Sequence, residues 1–214
     1  MKRNWWERLL TFDRLDYAGV YLALAGVGGG VTFAQLGDPL LAWADGDPLR
    51  TSLTIEALSD ESTGGPWEGL RPKPGVDLGW DGMTQATFAD PTTQVWLAHL
   101  APRVLVVAAT LIVILGLWRV LKSIRDGRAF TNANLRRIRG VAATLVVAPL
   151  LLVVPIVVRA AVLTDAAVET RGTIFTVTLP WQYLAVTLVG LLLAALAQAF
   201  EHGVELEDDV EGLV

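Results

Sequence analysis

From Val104 to Trp118 the chain carries no charged side chain, and the same is true from Val141 to Val158. A helix rises about 1.5 Å per residue and needs roughly twenty apolar residues to cross a hydrocarbon core about 30 Å thick. Uncharged runs of this length have few places to go in a soluble chain of 214 residues that is already 53% hydrophobic and only 18% charged. The bilayer supplies the apolar surroundings they need. Four stretches meet the length requirement, at 17–36, 96–121, 141–163 and 181–200. The expected fold is an all-α membrane protein with four transmembrane helices in a bundle.

The first stretch is the least apolar because Gly26, Gly28, Gly29 and Gly30 dilute it. Glycine is more frequent in membrane helices than in soluble ones. Gly26 and Gly30 have the small-xxx-small spacing that lets two helix backbones approach closely. They are read as a packing face, within the bundle or between the subunits of a homo-oligomer. No internal repeat is visible.

Sidedness follows from Lys and Arg, which concentrate in short cytoplasmic segments. Segment 1–16 holds Lys2, Arg3, Arg8 and Arg14, and segment 122–140 holds Lys122, Arg125, Arg128, Arg136, Arg137 and Arg139. Both are expected inside. In 37–95 the acids Asp38, Asp45, Asp47, Glu56 and others outnumber Arg50, Arg71 and Lys73, and 164–180 has Arg171 against Asp165 and Glu169. These two are expected outside, so that both termini of a multi-pass cell-membrane protein are cytoplasmic. Trp96 and Trp181 then fall at the outer interface, with Trp5, Trp6 and Trp118 at the inner one, as aromatic belts require.

The long outer connection is too long to be without structure of its own. Leu49 to Leu58 alternates like a strand, Gly75 to Trp80 and Gln85 to Phe88 are further candidates, and Gly172 to Leu179 is rich in β-branched residues. A small extracellular β-containing subdomain combining the first and third connections is expected, because a single hairpin is marginal in water. On the other side, Thr131 or Asn132 can cap a helix that runs into the third span.

Two charged constellations stand out. Arg103 and Arg159 lie at similar depth near the outer surface, with His99 four residues from Arg103 and Asp165 as a possible partner. Together they define an outer anion or ion-pair site, since ionisable groups within a span are functional by default. The competing reading has each arginine snorkelling to the headgroups. At the inner face, Arg136, Arg137 and Arg139 oppose an acidic tail, 201–214, with Glu205, Asp208 and Asp209. Loop and tail together form an expected docking surface.

Catalytic chemistry has almost no support. There is no cysteine, and the two histidines, His99 and His202, fall on opposite sides of the membrane. No metal ligand set, nucleophile motif or cofactor loop is present in the sequence, so the chain is expected to be no enzyme and to need no cofactor. Thr110, Thr144, Thr187 and Gln198 are the main polar groups at helix centres, which is thin support for a transport path.

Asp126 to Gly140 (DGRAFTNANLRRIRG) and Phe200 to Val214 (FEHGVELEDDVEGLV) resemble the pattern of the bacterial membrane family known as domain of unknown function 2975. The residues that match are Gly127, Phe130, Thr131 and Asn134, then Phe200, Gly203, Leu206 and Asp209. The resemblance implies a four-helix membrane protein and assigns no catalytic or binding residue; the long outer loop lies outside it. By analogy with relatives encoded beside a small helix-turn-helix regulator, it implies such a regulator or another membrane protein as partner, with no direct contact to nucleic acid. Besides the lipid bilayer, the expected role is therefore sensing, regulation or self-protection without catalysis. A small transporter or channel component acting as an oligomer is the competing reading.

Overall fold

The structure is a computed structural model that describes residues 14–53, 55–57, 72–80, 84–128, 131–169, 173–175 and 180–211. Helix α1 (Arg14–Thr32) passes through a π-helical turn (Phe33–Gly37) into α2 (Asp38–Asp45). Strands β1 (Leu49–Leu53), β2 (Ile55–Ala57), β3 (Val76–Trp80) and β4 (Thr84–Phe88) follow. The long helices α3 (Thr93–Arg125) and α4 (Asn132–Ala167), the short strand β5 (Thr173–Phe175) and helix α5 (Gln182–Glu211) complete the order.

Four helical spans are long and apolar enough to cross a membrane: Leu15–Asp45, Thr93–Arg125, Asn132–Ala167 and Gln182–Ala199. Their surfaces agree with that reading. Leu22, Leu150, Val154, Leu184 and Leu192 are all exposed by more than 60%, far more apolar surface than water tolerates on a soluble chain. The protein is an all-α membrane protein with a small β-containing part.

The helix bounds depart from expectation at several ends. The first helix runs on to Asp45 instead of stopping at Leu36. The π-helical turn takes in Gly37, and Pro39 falls at the first turn of α2, where its missing N–H is tolerated. A side chain at Gly37 would strike the ring of Phe33, 2.7 Å from an ideal Cβ. The helix ends at Gly46, whose φ of 74° lets its N–H reach back to Ala42 and Trp43. Helix α4 starts within the basic loop and reaches Ala167, and α5 carries the acidic tail as helix to Glu211. Trp5, Trp6, Phe130 and the side chains of Phe200, Glu205, Asp208 and Asp209 lie outside the described residues.

The chain divides into two compact units, Met1–Val31 with Ala108–Val147 and Ala185–Val214, and Thr32–Val107 with Ala148–Leu184. In the first, glycines set the helix spacing. Gly116 of α3 meets Val141 of α4 too closely for any side chain, and a Cβ at Gly190 of α5 would lie 2.9 Å from Leu145 Cβ and 3.0 Å from the Ala142 carbonyl oxygen. Gly28 packs on Ile114, whereas a Cβ at Gly26 or Gly30 would meet nothing within 4 Å among the described residues. The expected packing pair is thus displaced within this chain: Gly28 makes the close approach, and Gly26 and Gly30 face outward.

In the second unit β4 sits between β1 and β3 in an antiparallel sheet of order β1-β4-β3. Alternation in β1 turns Leu49, Thr51 and Leu53 inward. Leu49 and Leu53 pack with Ala86, Phe88, Val95, Trp96, Leu163, Ala167 and Val168 into one core. The first and third connections do combine, but in a second, two-stranded sheet of β2 with β5, Ile55 opposite Phe175. Trp96 is only 3% exposed and stacks on Trp43 at 5.8 Å. The aromatic-belt reading of Trp96 therefore gives way to a core role, while Trp181 stays open at 72% exposure.

Candidate functional site

Two groups of charged residues are built into the structure, one in each unit. Near the start of α3, His99 and Arg103 are one helical turn apart and share a face. His99 is 1% exposed, its ring meets Trp96 edge-on at 6.3 Å, and its Nδ1 has no hydrogen-bond partner among the described residues. Arg103 Nη1 donates to the Gln35 carbonyl at 3.3 Å. That carbonyl lies four residues before Pro39, which has no N–H to offer it. The arginine supplies a donor where the helix lacks one.

Arg159 of α4 does the same for the sheet. Its Nη2 donates to Thr51 Oγ1 at 2.6 Å and to the Ser52 carbonyl at 3.2 Å, clamping β1 to the helix. Both guanidinium groups lie within electrostatic reach of His99. Among the described residues no carboxylate stands within ion-pair distance of either arginine. Asp165 faces elsewhere: its 73%-exposed side chain lies 4.0 Å from Lys73 Nζ. Of the four residues expected to converge, the structure brings together His99, Arg103 and Arg159 and leaves out Asp165. Two half-buried guanidinium groups beside the imidazole can hold an anion such as a carboxylate.

The second group surrounds the turn between α3 and α4. Gly127, at φ 76°, ends α3: its N–H reaches the Ile124 carbonyl at 3.0 Å, and that of Arg128 reaches Ser123 at 2.9 Å. This paired closure needs a left-handed residue, and glycine takes that conformation without steric penalty. Thr131 caps α4 by accepting the Asn134 N–H at 3.3 Å. The Arg128 carbonyl then accepts two side-chain donors, Ser123 Oγ at 2.8 Å and Asn134 Nδ2 at 2.9 Å. Arg137 Nη1 donates to Asn134 Oδ1 at 3.0 Å and to the Arg119 carbonyl at 3.2 Å. Asn134 is 1% exposed. Gly127, Thr131 and Asn134 are thus the parts of one clamp that joins two long helices.

Beside that clamp is an open cavity of about 390 Å³ lined by Arg119, Lys122, Asp126, Arg128, Thr131 and Arg137, among others. The expected docking arginines separate into three roles. Arg136 is exposed, Arg137 is built into the clamp, and Arg139 pairs with Glu201 at the beginning of the acidic segment of α5. Among the described residues no group of three His, Asp or Glu could hold a metal ion.

Sequence reasoning missed Asn134 as the hub, Ser123 as its neighbour, and Thr51 and Ser52 as acceptors for Arg159. The spacing of Thr131 and Asn134 was a usable signal, since a capping residue bonds the N–H three positions on. Nothing local to Thr51 could point to Arg159.

No curated protein and no solved structure matches the chain. One family model does, over residues 83–213, which takes in β4, α3, α4, β5 and α5 and leaves α1, α2 and β1 to β3 before its start. With its clamp residues inside that match, the chain belongs to the family described as protein of unknown function (DUF2975).

Proposed function

We propose that this is a multi-pass membrane protein with both termini in the cytoplasm, acting without catalysis in sensing, regulation or self-protection. Its sheet-bearing unit receives a signal outside, and its basic loop and acidic helix end present a docking surface inside. The positive-inside distribution of Lys and Arg supports this sidedness. The observation that carries the reading is the Arg159 clamp on Thr51 and Ser52. A change in β1 on ligand binding bears directly on α4, and α4 also carries Arg136 and Arg139. A regulator of the helix-turn-helix type, or another membrane protein, is the expected partner.

The test compares proximity labelling by the full chain, by a chain ending at Phe200, and by Arg136→Glu with Arg139→Glu. Arg137 is left intact because it holds the clamp. A captured partner lost in both variants supports docking, and identical profiles in all three overturn it. A reporter fused after Val214 that is active only outside the cytoplasm would overturn the sidedness.

A second reading, a small transporter or channel component working as an oligomer, draws on Gly26 and Gly30. Both face open space on a helix whose backbone can therefore be approached closely by another copy. Flux in liposomes that depends on Arg103 or Arg159 would favour it.

A further inference from the structure

The cavity beside the α3–α4 turn has a charge pattern that the clamp does not account for. Arg119, Lys122, Arg128 and Arg137 line it against one carboxylate, Asp126. Asp126 is already shared by Arg125 Nε at 3.7 Å and Arg128 Nη2 at 4.0 Å. Arg137 has its Nη1 occupied by Asn134 Oδ1 and the Arg119 carbonyl. No carboxylate among the described residues stands within ion-pair distance of the Arg119 or Lys122 side chain. Four cations against one carboxylate leave the open space with an excess of positive charge, which favours an anion there.

Geometry adds to charge. The two helix ends beside the cavity are tied together: Gly127 closes α3, and Ser123 and Asn134 both donate to the Arg128 carbonyl. Thr131, the cap of α4, is also part of the lining, so the positive end of the α4 dipole opens on the same space. Guanidinium forks match phosphate oxygens in pairs, and lysine adds a point charge. Trp118 adjoins Arg119 and is 39% exposed, as befits a residue at the water interface.

We propose that this cavity is a binding site for a phosphate-bearing anion, either the headgroup of an anionic phospholipid or a soluble phosphate compound. Basic pockets between membrane helices at the cytoplasmic surface suit phospholipid headgroups. The site rests on the residues that line the cavity and does not depend on the sensing reading; only its assignment to a lipid headgroup draws on the sidedness proposed above.

The test uses the full chain in two preparations. In detergent, native mass spectrometry follows titration with cardiolipin and with phosphatidylcholine. In nanodiscs of phosphatidylcholine only, calorimetry follows titration with inorganic pyrophosphate. The variants are Lys122→Gln with Arg128→Gln, Arg136→Gln as a control that removes one nearby charge outside the lining, and Asp126→Asn.

Cardiolipin binding well above phosphatidylcholine identifies a lipid headgroup as the source; pyrophosphate binding identifies a soluble phosphate. In either case the double variant weakens binding by roughly thirtyfold, each charge near the surface contributing roughly a fivefold factor, and Arg136→Gln leaves it within about twofold. Asp126→Asn tightens binding, a gain that misfolding cannot imitate. No binding of either probe by the unaltered chain overturns the proposal. So does equal loss in Arg136→Gln, which would mean a diffuse basic surface, or binding unchanged in the double variant.

Discussion

The turn between α3 and α4 and the sheet held by Arg159 are both organised by arginine, yet over very different sequence distances. At the turn, Asn134 reaches Arg128 six residues away and Arg137 reaches Asn134 three residues away. At the sheet, Arg159 reaches Thr51 across 108 residues and Arg103 reaches Gln35 across 68. The first arrangement can form as soon as two helix ends meet. The second exists only once the chain has threaded its helices and returned the strands to them. Arginine serves both because its planar fork has more donors than any single partner consumes.

The largest effect is expected at the long-range clamp. Arg159→Met keeps the stem but deprives Thr51 and Ser52 of a charged donor, at about 2–3 kcal/mol by the usual worth of such bonds. Hydrogen exchange would show it as lost protection over 49–53, with the turn between α3 and α4 unchanged. Equal loss at both places would mean that the two regions are not independent.

Asn134→Ala comes next, at about 1–2 kcal/mol, because it removes a buried side chain that serves a partly buried carbonyl and a partly buried guanidinium at once. Denaturant unfolding in detergent micelles measures it. Exchange should now quicken at 123–137 and not at the sheet, the mirror image of the first variant. Gly127→Ala tests the same turn through its backbone, placing a Cβ at a φ of 76°, and should destabilise by about 1–2 kcal/mol. A neutral result would mean that the turn relaxes to another closure.

The smallest effect belongs to Arg139→Gln. Its pairing with Glu201 is half exposed, at 46% and 36% for the two side chains, so about 0–1 kcal/mol is expected. A thermal shift measured at low and at high salt should show the difference fading as salt rises. A larger, salt-insensitive loss would mark this contact as part of the architecture and not merely of the surface.

How much was legible follows the same division. The four spans were readable because hydropathy is a property of contiguous residues. Helix ends were less so: the first helix runs past Leu36, and only the Phe33 ring over Gly37 and the donor from Arg103 to Gln35 explain how it continues. The strands were recognisable from alternation, but not that β1 and β2 would pair with different partners. Among the glycines the spacing of Gly26 and Gly30 suggested packing, whereas the close approaches are at Gly28, Gly116 and Gly190. Spacing says which residues share a helix face; it does not say which face meets a neighbour.

For the candidate sites, the sequence marked His99, Arg103 and Arg159 because charged or titratable groups in apolar surroundings are conspicuous one by one. Whether Asp165 joined them depended on distances between segments, and it faces Lys73 instead. Membrane class, the number of spans and the basic character of the loop were determined by the sequence alone, since each sums over neighbours in the chain. The sheet topology, the core role of Trp96, the clamp on Thr51 and the cavity beside Asn134 were decided by tertiary structure. Each of these joins residues whose proximity comes from packing, and pairwise contact energies act between side chains only after packing has brought them within a few ångströms.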